Sequence, residues 1–226
     1  MKEMKRQTLL VSVFSVALIL SNICASRVVY TGVVIAGVEL TLPGGIFFYP
    51  ITFLCTDVIG ELWGKKQADD CVKVGLICQI LVLISSKIIM MFPVVDMAVD
   101  KAYRVVMEQN YIITIGAITS YLISQSWDVF IFHKIRGYFV ESENYEGKYR
   151  WIWNNASTLT SQLLDTIIFT FIGFGIGFGW LFDPKMRYQM IGLCVGQYLC
   201  KALFAILDTP FFYLLTRKRM RQKCCQ

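Results

Sequence analysis

Eight polar side chains crowd one end of a membrane-length segment: Asn154, Asn155, Ser157, Thr158, Ser161, Gln162, Asp165 and Thr166, followed by the apolar stretch from Ile167 to Gly179. Positions 154, 158, 161 and 165 recur at three- and four-residue spacing, so a helix brings them to one face. Carboxylate, amides and hydroxyls together both accept and donate hydrogen bonds, which is the chemistry of holding a polar ligand. In hydrocarbon such groups are costly unless they face protein or water. They therefore point to a site inside a helix bundle.

Other ionisable residues join them by depth, using a rise of about 1.5 Å per residue. Asp57 falls slightly inward of the centre of the second span, Asp165 near the centre of the fifth, and Asp128 in the inner half of the fourth. Glu61 and Asp208 lie nearer the inner interface, as secondary acids. Lys201 is near the centre of the sixth span, one turn from Gln197 and about two turns from Asp208. The sum is a polar chamber from mid-membrane to the inner half.

Each member has a plainer reading. Asp57 and Glu61, spaced i, i+4, can simply close a helix near Lys65 and Lys66. Lys201 either neutralises an acid as a structural pair or touches a ligand. Serine and threonine often bond only their own helix backbone, and amides can join helices. Asp165 among Asn155, Ser161 and Gln162 is the hardest to explain as structure alone. A short internal similarity adds Gln125: residues 124–132 match residues 161–169 at five of nine positions, giving an SQxxD element on two consecutive spans. Inverted repeats with midplane sites are a recurring transporter device.

The elements that must position these residues follow from composition. Hydrophobic residues make up 56% of 226, charged residues 17%, and mean hydropathy is +0.55, against about 25% charged in soluble domains. Six segments suit helices of roughly 20 residues, near 8–26, 44–64, 71–92, 111–133, 152–178 and 188–215. The expected fold is an all-α membrane protein, a single six-helix transmembrane domain over residues 1–226. Met1 to Arg6 is basic and precedes an apolar run, but no small-residue cleavage site is evident and Asn22 and Arg27 suit a retained helix.

With the amino terminus inside, fifteen Lys and Arg residues fall on the inner side and five on the outer. Positive charge is enriched in inner loops, so both termini are expected in the cytoplasm. The net charge of +6 is thus mainly a topology signal, and no nucleic-acid partner is expected, because the basic residues sit at helix ends and form no aromatic-interleaved stripe. Residues 28–45, rich in β-branched residues and glycine, read as an outer hairpin or a re-entrant loop. Residues 96–110 read as an outer loop of mixed polarity, and 134–150 as the longest inner loop, lying at the interface.

The eight cysteines form no CxxC pair, and His133 is the one imidazole. They read as small apolar core thiols rather than metal ligands, and no cofactor is called for. Trp127, Trp151, Trp153 and Phe132 are ordinarily core or interfacial aromatics. No Gly-rich phosphate loop occurs, so ATP hydrolysis by that route is not expected. An intramembrane carboxylate enzyme would need two facing acids, such as Asp128 and Asp165, but no GxGD-type element, HExxH or nucleophile elbow accompanies them.

Two long motifs carry a family likeness. The segments YPITFLCTDVIGELWGKK at 49–66 and NNASTLTSQLLDT at 154–166 resemble the signatures of the queuosine precursor transporter family, a vitamin-uptake type. The resemblance implies multi-pass insertion in the bacterial inner membrane and uptake of 7-deazaguanines, such as preQ0, preQ1 or queuine, for salvage into tRNA. It also implies a bundle similar to the substrate-binding subunits of energy-coupling-factor transporters. A partner energising module, a proton-driven mechanism and a facilitator all stay open, as does another vitamin-like substrate. For a guanine-like edge, Asp165 or Asp128 could accept two parallel N–H donors, with Asn155, Gln162 and Gln125 serving the carbonyl and remaining donors. Trp127, Phe132 or Tyr198 could stack on the base, and Asp57 could meet an aminomethyl cation. Gly173, Gly175, Gly177 and Gly179 permit close helix packing, within the bundle or in a homo-oligomer.

Overall fold

The computed structural model describes the backbone of residues 2–35, 37–140 and 150–223; side chains at 1–4, 36, 65, 125, 128, 129, 132, 133, 135–158, 205, 206, 208–214 and 216–226 lie outside the described set. Six long helices carry the chain: α1 (Lys2–Ala25), α2 (Tyr49–Trp63), α3 (Lys65–Ile89), α4 (Met97–Val140), α5 (Arg150–Phe169) and α6 (Pro184–Lys223). Two strands, β1 (Val28–Ile35) and β2 (Val38–Pro43), pair as a hairpin. The protein is all-α and membrane-type: among the described residues, four helices are long and apolar enough to cross a bilayer, at Lys5–Ala25, Gly44–Trp63, Lys66–Ile89 and Leu159–Gly177.

The hairpin settles one open choice at residues 28–45. A paired ribbon satisfies backbone groups that a re-entrant loop would leave to its surroundings, and Gly37, at φ 79°, supplies the positive φ that a tight connection needs. Two polar stretches between the expected spans are helical. The polar run after Trp63 is the first turn of α3, because Lys65, Lys66, Gln67 and Ala68 are good helix formers whatever their polarity. Gly64 alone separates α2 from α3, at φ 94° and ψ 164°, a region essentially restricted to glycine.

The second is the expected outer loop at 96–110, where α4 begins at Met97. Asp96 caps it: its Oδ1 accepts from the backbone N–H of Ala98 (2.8 Å) and Val99 (3.3 Å). Arg104 then ties α4 to the end of α3, with Nε donating to Asp100 at 2.7 Å and Nη2 to the Met90 carbonyl at 2.6 Å. The expected inner loop from 134 is also helical as far as Val140, and residues 141–149 lie outside the described residues.

The chain forms two compact units. One comprises Met1–Val33, Thr41–Tyr111 and Leu199–Gln226. Its core joins Phe14 of α1, Cys55 and Ile59 of α2 and Cys71 of α3, which places two of the cysteines as apolar core thiols. The turn before α2 lies hard against α1: a side chain on Gly45 would overlap the Ser21 carbonyl, and the Ser21 hydroxyl donates to the Gly45 carbonyl at 3.1 Å.

The other unit comprises Val34–Leu40 and Ile112–Tyr198. Its centre is Phe174, wholly buried, with the rings of Phe169, Phe178 and Trp180 at centroid distances of 5.9, 5.1 and 5.3 Å. After Phe169 the helix widens into a π-helical segment, Thr170–Gly177. Its glycines admit α4: Gly116 faces the Gly173 backbone, where an added Cβ would stand 3.2 Å from nitrogen, and a Cβ on Gly177 would overlap Ile112. Pro184 opens α6, and Asp183 Oδ1 accepts the Lys185 N–H at 2.9 Å. The hairpin tip reaches this helix at Gly192, whose Cβ would overlap the Glu39 carbonyl.

Candidate functional site

The polar run on α5 resolves into a stripe running in steps of four. Gln162 is half-buried, Thr166 fully buried and Thr170 2% exposed, the i, i+4 spacing that stacks side chains on one helix face. Ser161 is also buried, and Asp165 is half-buried beside the stripe. The Thr166 hydroxyl donates to the Gln162 carbonyl at 2.8 Å, the local backbone bond that threonine commonly makes in a helix. Across from Thr170 stands Gln197 of α6, 2% exposed, its Nε2 donating to the Thr170 hydroxyl at 3.2 Å. This contact falls where α-helix gives way to π-helix, a geometry frequent at functional sites.

Thr170 is an addition to the residues singled out by sequence, and Gln197, named there only as a neighbour of Lys201, gains a partner in it. Thr170 sits inside a stretch that reads as apolar, from Ile167 to Gly179, and the four-residue step from Gln162 through Thr166 is the signal that reaches it. On α4 of the same unit, Thr114, Ser120 and Ser124 are buried as well. Ser120 and Ser124 donate to the carbonyls of Ala117 and Tyr121, each at 3.1 Å, so these two hydroxyls are spent on their own helix. Tyr198 is half-buried. Trp127 is exposed at 40%, its ring 6.0 Å from that of Phe130, an arrangement suited to a lipid or solvent face. The side chains of Gln125, Asp128, Phe132 and Asn155 lie outside the described residues.

The remaining candidates belong to the first unit. Lys201 is 6% exposed, its ammonium 5.2 Å from the centre of the Tyr49 ring. Asp57 is exposed and Glu61 half-buried on α2. The Asp208 side chain lies outside the described residues. Within this unit the three are an exposed acid, a half-buried acid and a buried cation on an aromatic face.

A transporter ancestry accounts for polar groups at such depth. A family model described as "Putative vitamin uptake transporter" matches residues 43–215, a stretch from the end of β2 through most of α6. The chain belongs to the vitamin uptake transporter family. It is 25% identical over 194 residues to a "Probable queuosine precursor transporter" of Bacillus subtilis (strain 168), covering 85% of this chain and 79% of that protein. No solved structure matches. Family membership, with several helices long and apolar enough to span a bilayer, makes this a membrane protein of a transporter family.

Proposed function

We propose that this vitamin uptake transporter carries queuosine precursors, 7-deazaguanine bases such as preQ0, preQ1 or queuine, inward across the bacterial inner membrane, with both termini in the cytoplasm, to supply tRNA modification. The observation that carries the reading is the placement of Asp165 and Gln162, one turn apart and half-buried on a membrane-length helix, beside the buried stripe Thr166–Thr170. An ionised carboxylate accepts two parallel N–H donors, matching the ring N–H and exocyclic amine of a guanine-like edge. Gln162 supplies a donor for the adjacent carbonyl. The name of the Bacillus relative supports the same substrate class.

The roles of Asn155, Gln125 and Asp128, as further ligands around the base, rest on their sequence positions. Asp57 as a partner for an aminomethyl cation, and Lys201 as a ligand contact, likewise rest on their sequence positions. Transport into sealed vesicles containing the purified protein tests the reading. Asp165→Asn and Gln162→Ala, in correctly inserted protein, are expected to reduce uptake of a radiolabelled 7-deazaguanine at least tenfold, the scale of a lost hydrogen bond to a charged group. Unchanged uptake by both variants would place the pocket elsewhere. Repeating the assay with and without a pH gradient, and with added energising subunits, separates proton coupling, facilitated passage and dependence on a partner.

A further inference from the structure

Basic segments far apart in the chain meet at one end of the first unit. Arg6, near the start of α1, donates from Nη2 to the Leu215 carbonyl of α6 at 2.6 Å, and five of the seven residues 217–223 that follow on this helix are Lys or Arg, with no acid among them. The start of α3 joins them, because Gln7 Nε2 donates to Gln67 Oε1 at 2.8 Å, one residue past Lys66. Lys5 and Lys66 are exposed, and each is the first residue of a segment long and apolar enough to span a bilayer. A cation in that position lies at headgroup level.

Little in the protein offsets this charge. Over residues 2–7, 61–73 and 215–223 there are eleven basic residues and four acidic ones, and among the described residues none of Lys5, Arg6 and Lys66 makes an ion pair. Asp70 is already engaged by Lys73 at 3.0 Å. Like charges gathered from three helix ends repel one another, and the half-buried Arg6, held by one carbonyl, retains N–H donors in a fork that suits a phosphate. Lys5 also heads an exposed apolar stripe on α1, Leu9, Val13, Val16 and Leu20, at the three- and four-residue spacing of one helix face. A cation above an apolar stripe matches a phosphate above an acyl chain. We propose that this end of the molecule binds anionic phospholipid, with Lys5 and Arg6 holding the phosphate beside the basic end of α6 and the acyl chains lying along α1. The assignment is independent of which substrate the protein carries.

The test is lipid retention by the purified full-length protein, extracted in mild detergent from vesicles of equal phosphatidylglycerol and phosphatidylcholine. Wild-type protein is expected to retain phosphatidylglycerol over phosphatidylcholine by roughly threefold or more, an excess that shrinks in high salt. Combining Lys5→Gln, Arg6→Gln, Arg217→Gln and Arg219→Gln is expected to bring the ratio to about one. Lys5→Gln with Lys66→Gln alters only exposed side chains; it should lower the ratio in the same direction and stands in if the fourfold variant fails to fold. Lys134→Gln with Arg136→Gln removes the same charge from α4 in the other unit and should leave the ratio as in wild type. Equal retention of the two lipids by wild-type protein, or a ratio left intact in the folded Lys5 and Lys66 variant, overturns the assignment. An equal fall in the α4 variant also overturns it, by assigning the preference to net charge. Binding of a short oligonucleotide to the protein in phosphatidylcholine nanodiscs at physiological salt, lost in the same variants, would give the surface to a nucleic acid instead.

Discussion

The ammonium of Lys201, on α6, lies over the ring of Tyr49, 5.2 Å from its centroid, at the first residue of α2. With 6% of the residue exposed, the cation is largely removed from water, where an aromatic face contributes more than at a surface. The ring thus helps a buried charge persist in a membrane-length helix.

Replacing the ring should therefore be felt as stability. Tyr49→Leu is expected to lower unfolding stability by about 1–2 kcal/mol, the range for a desolvated cation on an aromatic ring. Tyr49→Phe keeps the face and should stay near wild type. Thermal unfolding of the two purified variants in one detergent reads the difference; equal losses would assign the effect to the phenol hydroxyl.

Gly64 makes the corner between α2 and α3 with a single residue at φ 94° and ψ 164°. No neighbouring atom crowds the position of a Cβ there, so any cost of substitution is conformational. Gly64→Ala should destabilise by about 1–3 kcal/mol, and Gly64→Asn by no less, since this region lies outside the left-handed well that asparagine tolerates. Denaturant midpoints of both variants provide the check.

How much of this was legible in the sequence depends on which physical signal each feature leaves. Hydrophobic length marked all six helices, because a span must be apolar over its depth. Polarity misled at Asp96–Asn110, which read as a loop but holds a helix cap and good helix formers. The β-branched run at 28–45 pointed to a ribbon and the structure pairs it. On α5, the step 154, 158, 161, 165 identified the helix and the region, and Ser161 within it is buried; the most deeply buried hydroxyls, Thr166 and Thr170, lie about a third of a turn further around. Which face of a helix turns inward is decided by packing against α4 and α6, and the glycines of the π segment set that packing. Gln197 was legible only as a neighbour of Lys201, one turn away, for the same reason: one amide in an apolar helix acquires meaning from the hydroxyl it meets.

Asp96 and Arg104 close the α3–α4 turn by different means. Asp96 holds two backbone donors at the start of α4, and loss of an N-cap costs about 1 kcal/mol. Asp96→Ala is expected to show that loss, with Asp96→Asn close to neutral. Arg104 bridges Asp100 and the Met90 carbonyl, so Arg104→Lys should fall short of wild type, because one ammonium lacks the fork that serves both acceptors. Hydrogen exchange at the Met90 and Ala98 amides would register fraying in each variant.

Gly177 and Gly45 both lie where a methyl group would overlap a neighbour, but the neighbours differ in kind. At Gly177 the obstruction is the Ile112 side chain; at Gly45 it is the Ser21 backbone carbonyl. Overpacking a closed interior costs roughly 1–3 kcal/mol or more, so Gly177→Ala and Gly45→Ala should both destabilise. Rescue separates them. Ile112→Ala removes the atoms that Gly177→Ala would meet, and the double variant should be more stable than the sum of its singles by about 1 kcal/mol or more, the coupling expected of residues in contact. No substitution at Ser21 moves a carbonyl out of the way of Gly45→Ala, so Ser21→Ala should leave that variant well below wild type. Stability measured across the Gly177 and Ile112 double-mutant cycle would show the positive coupling; additivity there would mean that the π segment and α4 are not in close contact at that point.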